Sequence, residues 1–191
     1  MASYYERLIA YLRRYKCQFD VVYECRGYDT AYQTAQALRV DPAKFAKAVV
    51  LLNDGAPVIA VVPANCYVNI NFLKRVLGAR SMCLADESQI KSLFPTCELG
   101  AIPPLSLPGD DAIPIVLDTI FFDMHMHQSD IYFKGGSHTR IIKMKDADFI
   151  CLQGTACYLY PIAQINREST GLCVVQLAGF LAKNCFGIPF W

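Results

Sequence analysis

The spacing of apolar residues changes period along the chain, and each change marks an element. Tyr4, Leu8, Ile9 and Leu12 recur at helical spacing, with Glu6, Arg13 and Arg14 elsewhere around the axis, which predicts a helix over 3–15. FDVVYEC, 19–25, alternates and is β-branched, as a strand requires. Thr30 followed by Gln33 fits a capping box for a helix over 31–39, and Pro42 interrupts the pattern beyond it. AVVLL and VIAVVP then predict two strands joined through Asn53, Asp54 and Gly55, a hairpin with a slightly long loop. NINFLKRVLG predicts a helix capped by Asn69 or Asn71 and ending at Gly78, and DESQIKSLF a short one capped by Asp86. GAIPPLSLPGDD cannot be regular, because prolines and glycines crowd it. IPIVLD, DIYFKGG and RIIKM read as strands and KDADFI as a short helix.

Strands and helices are thus interleaved without strict βαβ alternation. The predicted class is α/β, a compact mixed β-sheet covered by helices and not a doubly wound parallel sheet. The domain is expected to close near residue 155, with GTACYLYPIAQINREST linking it to an extension that runs to 191. The end of that extension, LCVVQLAGFLAKNCFGIPFW, is strongly apolar and about as long as a membrane span, roughly 20 residues. Gln176, Lys183 and Asn184 interrupt it and Gly187 and Pro189 would break it, so a docked helix or an oligomer contact is favoured over a membrane anchor.

Composition narrows the function classes. A net charge of +1 over 191 residues leaves no broad basic face for long nucleic acid, though a small piece of nucleic acid remains open. Nine cysteines, odd in number and without a C-x-x-C, read as free thiols in a reducing compartment. The opening residues carry charges throughout and lack a signal-peptide h-region, so the expected location is the cytoplasm.

Four stretches could carry chemistry. Lys47 heads the apolar run AKAVVLL; an ammonium there either snorkels to water or meets an anion, phosphate or carboxylate. Gly100 to Pro104, in LGAIPP, forms a stiff loop whose Gly100, Ala101 and Ile102 keep their N–H groups while Pro103 and Pro104 have none. In FKGGSHTR, Gly135 and Gly136 permit close backbone approach, and Ser137 and His138 follow directly. His125 and His127 form an H-x-H pair that binds a divalent metal only with a third ligand, which nothing in the sequence fixes.

Taken in order, TAYQTAQALRVDPAKFAKAVVLLNDGAPVIAVVPA, LGAIPPLSL, IPIVLD and YFKGGSHTRIIKM resemble the YbaK / prolyl-tRNA synthetase editing-domain family over about 19–150. The resemblance implies a mixed α/β domain that hydrolyses the ester joining a wrong amino acid to the 3′ end of a tRNA. It implies Lys47, Gly100 and His138 as catalytic residues, with Lys47 against the phosphate of the terminal adenosine. Thr30, Ala101, Ile102, Pro103, Pro104, Gly135, Gly136 and Ser137 would line the substrate site. Gly-Gly-Ser-His-Thr leans towards members that remove alanine from proline tRNA rather than those selective for cysteine. The implied partners are the tRNA acceptor end and prolyl-tRNA synthetase, and neither metal nor other cofactor is expected. A non-catalytic module that binds aminoacyl-tRNA or a synthetase through the same pocket is the alternative, with a metal-dependent hydrolase a third.

Overall fold

A computed structural model describes residues 2–107, 113–122, 129–153 and 157–165. Ser3 caps α1 (Tyr4–Arg14) in a full capping box with Glu6, and Tyr4, Leu8, Ile9 and Leu12 make its buried stripe, as their spacing predicts. After β1 (Phe19–Tyr23), Thr30 caps α2 (Ala31–Ala37) by accepting from the Gln33 N–H at 3.2 Å. The reciprocal half of that expected capping box is missing: Gln33 Oε1 instead takes the Thr30 hydroxyl proton.

Phe45 leads into β2 (Ala46–Asn53), which pairs antiparallel with β3 (Ala56–Pro63). Their loop is tighter than expected. Asn53 faces Ala56, leaving only Asp54 and Gly55 between the strands, both at positive φ as a type I′ turn requires. Then come β4 (Cys66–Val68), α3 (Ile70–Val76, capped by Asn69), β5 (Met82–Leu84) and α4 (Glu87–Leu93, capped by Asp86). The described residues finish with β6 (Ile115–Asp118), β7 (Asp130–Ser137), β8 (Arg140–Lys145), α5 (Asp146–Leu152), β9 (Cys157–Tyr160) and β10 (Ala163–Ile165).

The strands form a mixed five-stranded sheet in the order β5-β2-β3-β6-β9, an antiparallel three-stranded sheet β1-β8-β7, and the pair β10-β4. The predicted mixed α/β class holds. The stretch read as a linker after 155 does not stay one: β9 runs parallel to β6 and β10 closes on β4. Buried Asp118 staples that return, accepting from the Ala163 N–H at 2.6 Å and the Ile120 N–H at 2.8 Å. The principal core draws on both larger sheets and α1, with Leu8, Leu12, Val50, Val61, Leu117, Phe133 and Ile142 among its members. No helix among the described residues is long and apolar enough to cross a membrane, and the apolar tail lies outside them.

Candidate functional site

The site is built around an irregularity in β7. Register with β8 shifts between Lys134 and Ser137, and Gly136 within the shift has φ +96°. The bulge releases Gly136 from the ladder and offers its backbone to another segment. That segment is the 98–101 turn: Gly136 N–H donates to Ala101 O and Glu98 N–H to Gly136 O, both at 3.0 Å. The turn closes on itself through Ala101 N–H to Glu98 O, so the Ala101 donor is spent inside the protein. The Glu98 carboxylate then accepts from the His138 N–H at 2.6 Å, tying the proline loop to the β7–β8 turn a second time.

Gly100 closes the gap between these segments and the start of α2. Its φ is +76°, and a Cβ there would stand 3.2 Å from Asp29 O and 3.6 Å from His138 Cε1. Three stretches, 28–29, 98–101 and 134–138, therefore converge where only a glycine fits without strain. From behind, Tyr4 OH donates to Leu105 O at 2.8 Å and Gln153 Nε2 to Pro104 O at 3.1 Å. Ala101, Ile102, Pro103 and Pro104 are all buried, and Ile102, 6% exposed, belongs to the principal core. The Ile102 side chain thus braces the loop and does not project from it.

Lys134, which sequence reasoning passed over, sits beneath the convergence. It is 3% exposed. Its Nζ donates to Tyr28 O at 2.7 Å and Asp29 O at 2.9 Å, and lies 2.8 Å from His138 Nδ1. Burial lowers its pKa to about 8, against the opposing pull of Asp29 and Glu98. The imidazole Nδ1 is also 2.9 Å from Tyr28 O. Lys134 and Glu98 are thus the two functional candidates missed. The signal that singles out Lys47, a lysine inside an apolar strand run, is equally present in DIYFKGG; Glu98 has no comparable signature.

Lys47 occupies a different setting on β2. Alternation turns Ala46, Ala48 and Val50 toward the principal core and Phe45, Lys47, Val49 and Leu51 to the other face. On that face Phe45 belongs to a small cluster with Ala31, Ala35, Ala64 and Ile141, while Val49 and Leu51 belong to another, so the lysine falls between two apolar patches. Its Nζ reaches Ala64 O at 3.5 Å and stands 5.2 Å from the centre of the exposed Tyr67 ring. Burial pushes the ammonium's pKa down, with the neighbouring Cys66 opposing. No carboxylate among the described residues forms an ion pair with it. The start of α2 links the two lysines: Ala31 packs in the cluster with Ala64, and residues 28–29 just before it accept from Lys134.

The Thr30 hydroxyl is occupied as the α2 cap, one residue beyond Asp29. Ser137 Oγ contacts Thr139 Oγ1 at 3.2 Å in the turn that carries His138. His125 and His127 lie outside the described residues, and among the described residues no group of three metal-ligating side chains gathers.

A sequence profile of the aminoacyl-tRNA editing domain matches residues 25–152. The proline–tRNA ligase of Streptococcus mutans serotype c is 32% identical over 94 residues, which is 49% of this chain but only 14% of the ligase. Among solved structures, hypothetical protein APE2540 superposes with a TM-score of 0.70 at 19% identity, covering 83% of this chain and 99% of that one. The structure named "putative trans-editing enzyme for prolyl tRNA synthetase" gives a TM-score of 0.68 at 15% identity, covering 86% and 99%. These two likenesses speak to the fold, and the profile match, spanning the lysine strand, the proline loop and the Gly-Gly-Ser-His turn, speaks to descent: the chain belongs to the aminoacyl-tRNA editing domain family.

Proposed function

We propose that the protein is a trans-editing deacylase that hydrolyses the ester of a mischarged small amino acid on tRNA, alanine above all and also serine or cysteine, with proline tRNA as the carrier. The observation that carries this reading is the meeting of the Gly100–Pro104 loop with the Gly136–His138 turn, sealed by reciprocal backbone bonds and with His138 Cε1 close over Gly100. In the reaction a water oxygen bonds to the ester carbonyl carbon, and the bond from that carbon to the ribose oxygen breaks. The ribose oxygen gains a proton, leaving a free amino acid and a free tRNA terminus. The ester is already activated, so positioning and polarisation supply the catalysis. Lys47 holds the terminal phosphate; a half-buried ammonium without a carboxylate partner among the described residues is suited to that. The turn and His138 hold the acyl group. The kinship to a proline–tRNA ligase supports the choice of tRNA.

Selection rests on size. An added methylene shifts binding in an apolar pocket by only about 1–3 kcal/mol, whereas a wall that cannot yield refuses it more sharply. The 100–104 loop is such a wall, braced by Ile102 in the core, by Gln153 on the Pro104 carbonyl and by Tyr4 on the Leu105 carbonyl just beyond. The test is a panel of alanyl, seryl, cysteinyl and prolyl esters on one tRNA, with and without chelator. Release of alanine with proline spared is the expected result. Equal rates for alanyl and prolyl esters would sink the size argument, and binding without release would leave a non-catalytic module. Activity abolished by chelator and restored by zinc would promote the His125–His127 pair.

A further inference from the structure

We propose that Lys134 is a positioning residue that fixes the tautomer of His138, so that the imidazole meets the substrate as a hydrogen-bond donor through Nε2–H. The inference deepens the deacylase reading and rests on it for the identity of the substrate. The tautomer itself belongs to the free protein.

A lysine ammonium has three protons and no lone pair. Lys134 Nζ has three acceptors within hydrogen-bond distance: Tyr28 O at 2.7 Å, Asp29 O at 2.9 Å and His138 Nδ1 at 2.8 Å. Each proton has one destination, and the third requires a lone pair on Nδ1. A neutral imidazole with a bare Nδ1 carries its proton on Nε2. The competing arrangement has Nδ1–H donating to Tyr28 O, 2.9 Å away. It would set that nitrogen's proton beside an ammonium with no acceptor to offer. Such an arrangement becomes favourable only once Lys134 has given up a proton and turned its lone pair to the ring.

The groups facing Lys134 decide when that happens. Asp29 and Glu98 favour the ammonium and burial opposes it, leaving the amine to titrate at about 8. Below that pH Nδ1 is occupied, and among the described residues no protein group bonds to Nε2. A ring held this way donates to the ester carbonyl or to the departing ribose oxygen. It cannot take the proton of the attacking water through Nε2, so the acceptor of that proton lies elsewhere, in the substrate hydroxyl or solvent.

The test uses the full chain, without tRNA, with 15N-labelled histidine. Three histidines give three sets of signals, and His138→Gln identifies one by its loss. At pH 7 the His138 ring should show a protonated Nε2 and a bare Nδ1, crossing to Nδ1–H as the pH is raised through about 8. A ring carrying Nδ1–H at pH 7 and unchanged up to pH 9.5 overturns the proposal. In folded Lys134→Met the ring should adopt Nδ1–H already at pH 7, and retention of the wild-type tautomer also overturns it. If that variant does not fold, the wild-type titration decides alone. Because the readout needs no substrate, it stands or falls separately from deacylation.

Discussion

Two lysines stand two residues beyond the bridge that joins Phe45, just ahead of β2, to Tyr132 of β7: Lys47 after Phe45 and Lys134 after Tyr132. Burial weakens the ammonium of both. Lys134 has an acceptor for every proton and is almost sealed from solvent. Among the described residues Lys47 has one distant carbonyl and the face of an exposed ring. A buried polar group that is fully partnered specifies structure, whereas one left short of partners is available to something else. Under the proposed function Lys134 builds the site and Lys47 serves it.

The sharpest break in that comparison is Lys134→Met. It leaves the part-buried carbonyls of Tyr28 and Asp29 without their donor, each at a cost of up to about 1–3 kcal/mol, offset in part because no cation is then buried. A net loss of about 2 kcal/mol or more in a urea titration is expected. Its pH dependence is also informative. Lys134 titrates at about 8 in the fold and near 10.5 when unfolded, so between those values the unfolded chain binds more protons. Its contribution to stability rises with pH across that window, and the variant should lose that slope. A variant as stable as wild type would place Lys134 with Lys47 as a bystander to the fold.

Lys47→Ala should do the opposite, leaving the urea midpoint nearly unchanged. A charge-assisted contact to phosphate is worth about 1.5–3 kcal/mol, so kcat/KM should fall roughly ten- to hundredfold. Unchanged kcat/KM would remove Lys47 from the reaction. Gly100→Ala is a smaller perturbation that reaches the Lys134 side alone. The left-handed conformation costs an L-residue roughly 1–2 kcal/mol, and the new methyl would press on Asp29 O, an acceptor of Lys134. A stability loss of about 1–2 kcal/mol with a larger fractional loss of turnover is expected. Full turnover in the alanine variant would show that the convergence at Gly100 is not the reacting centre.

The contrast between the lysines also marks what could be read from the chain. Periodicity and caps located α1, α3, α4 and the β2–β3 hairpin, because those elements depend on neighbours in sequence. The short strands β4, β5, β9 and β10 have three or four residues each, too few to show a period, and β9 exposes Tyr158 and Leu159. Gly100, Gly136 and His138 stand out because glycine and histidine advertise unusual backbone and chemistry. Lys134 and Glu98 act through partners far along the chain. Nothing beside Lys134 in sequence announces the carbonyls 105 and 106 residues away that hold it.

Those separations have a consequence for how the protein comes to exist. His138 and Tyr28 are 110 residues apart, and Glu98 reaches His138 across 40. Contacts so distant are won only after the entropy of closing long loops has been overcome, which slows folding and delays such contacts. Neither the β7–β8 hairpin nor the proline loop can hold this convergence as an isolated fragment. The Gly136 amide, bonded to Ala101 O, offers a reporter of that dependence. Its hydrogen should exchange with solvent only through opening of the whole domain, at the same free energy as the core amides of β3. Faster exchange at Gly136 than at β3 would mean that the convergence opens and closes as a unit of its own.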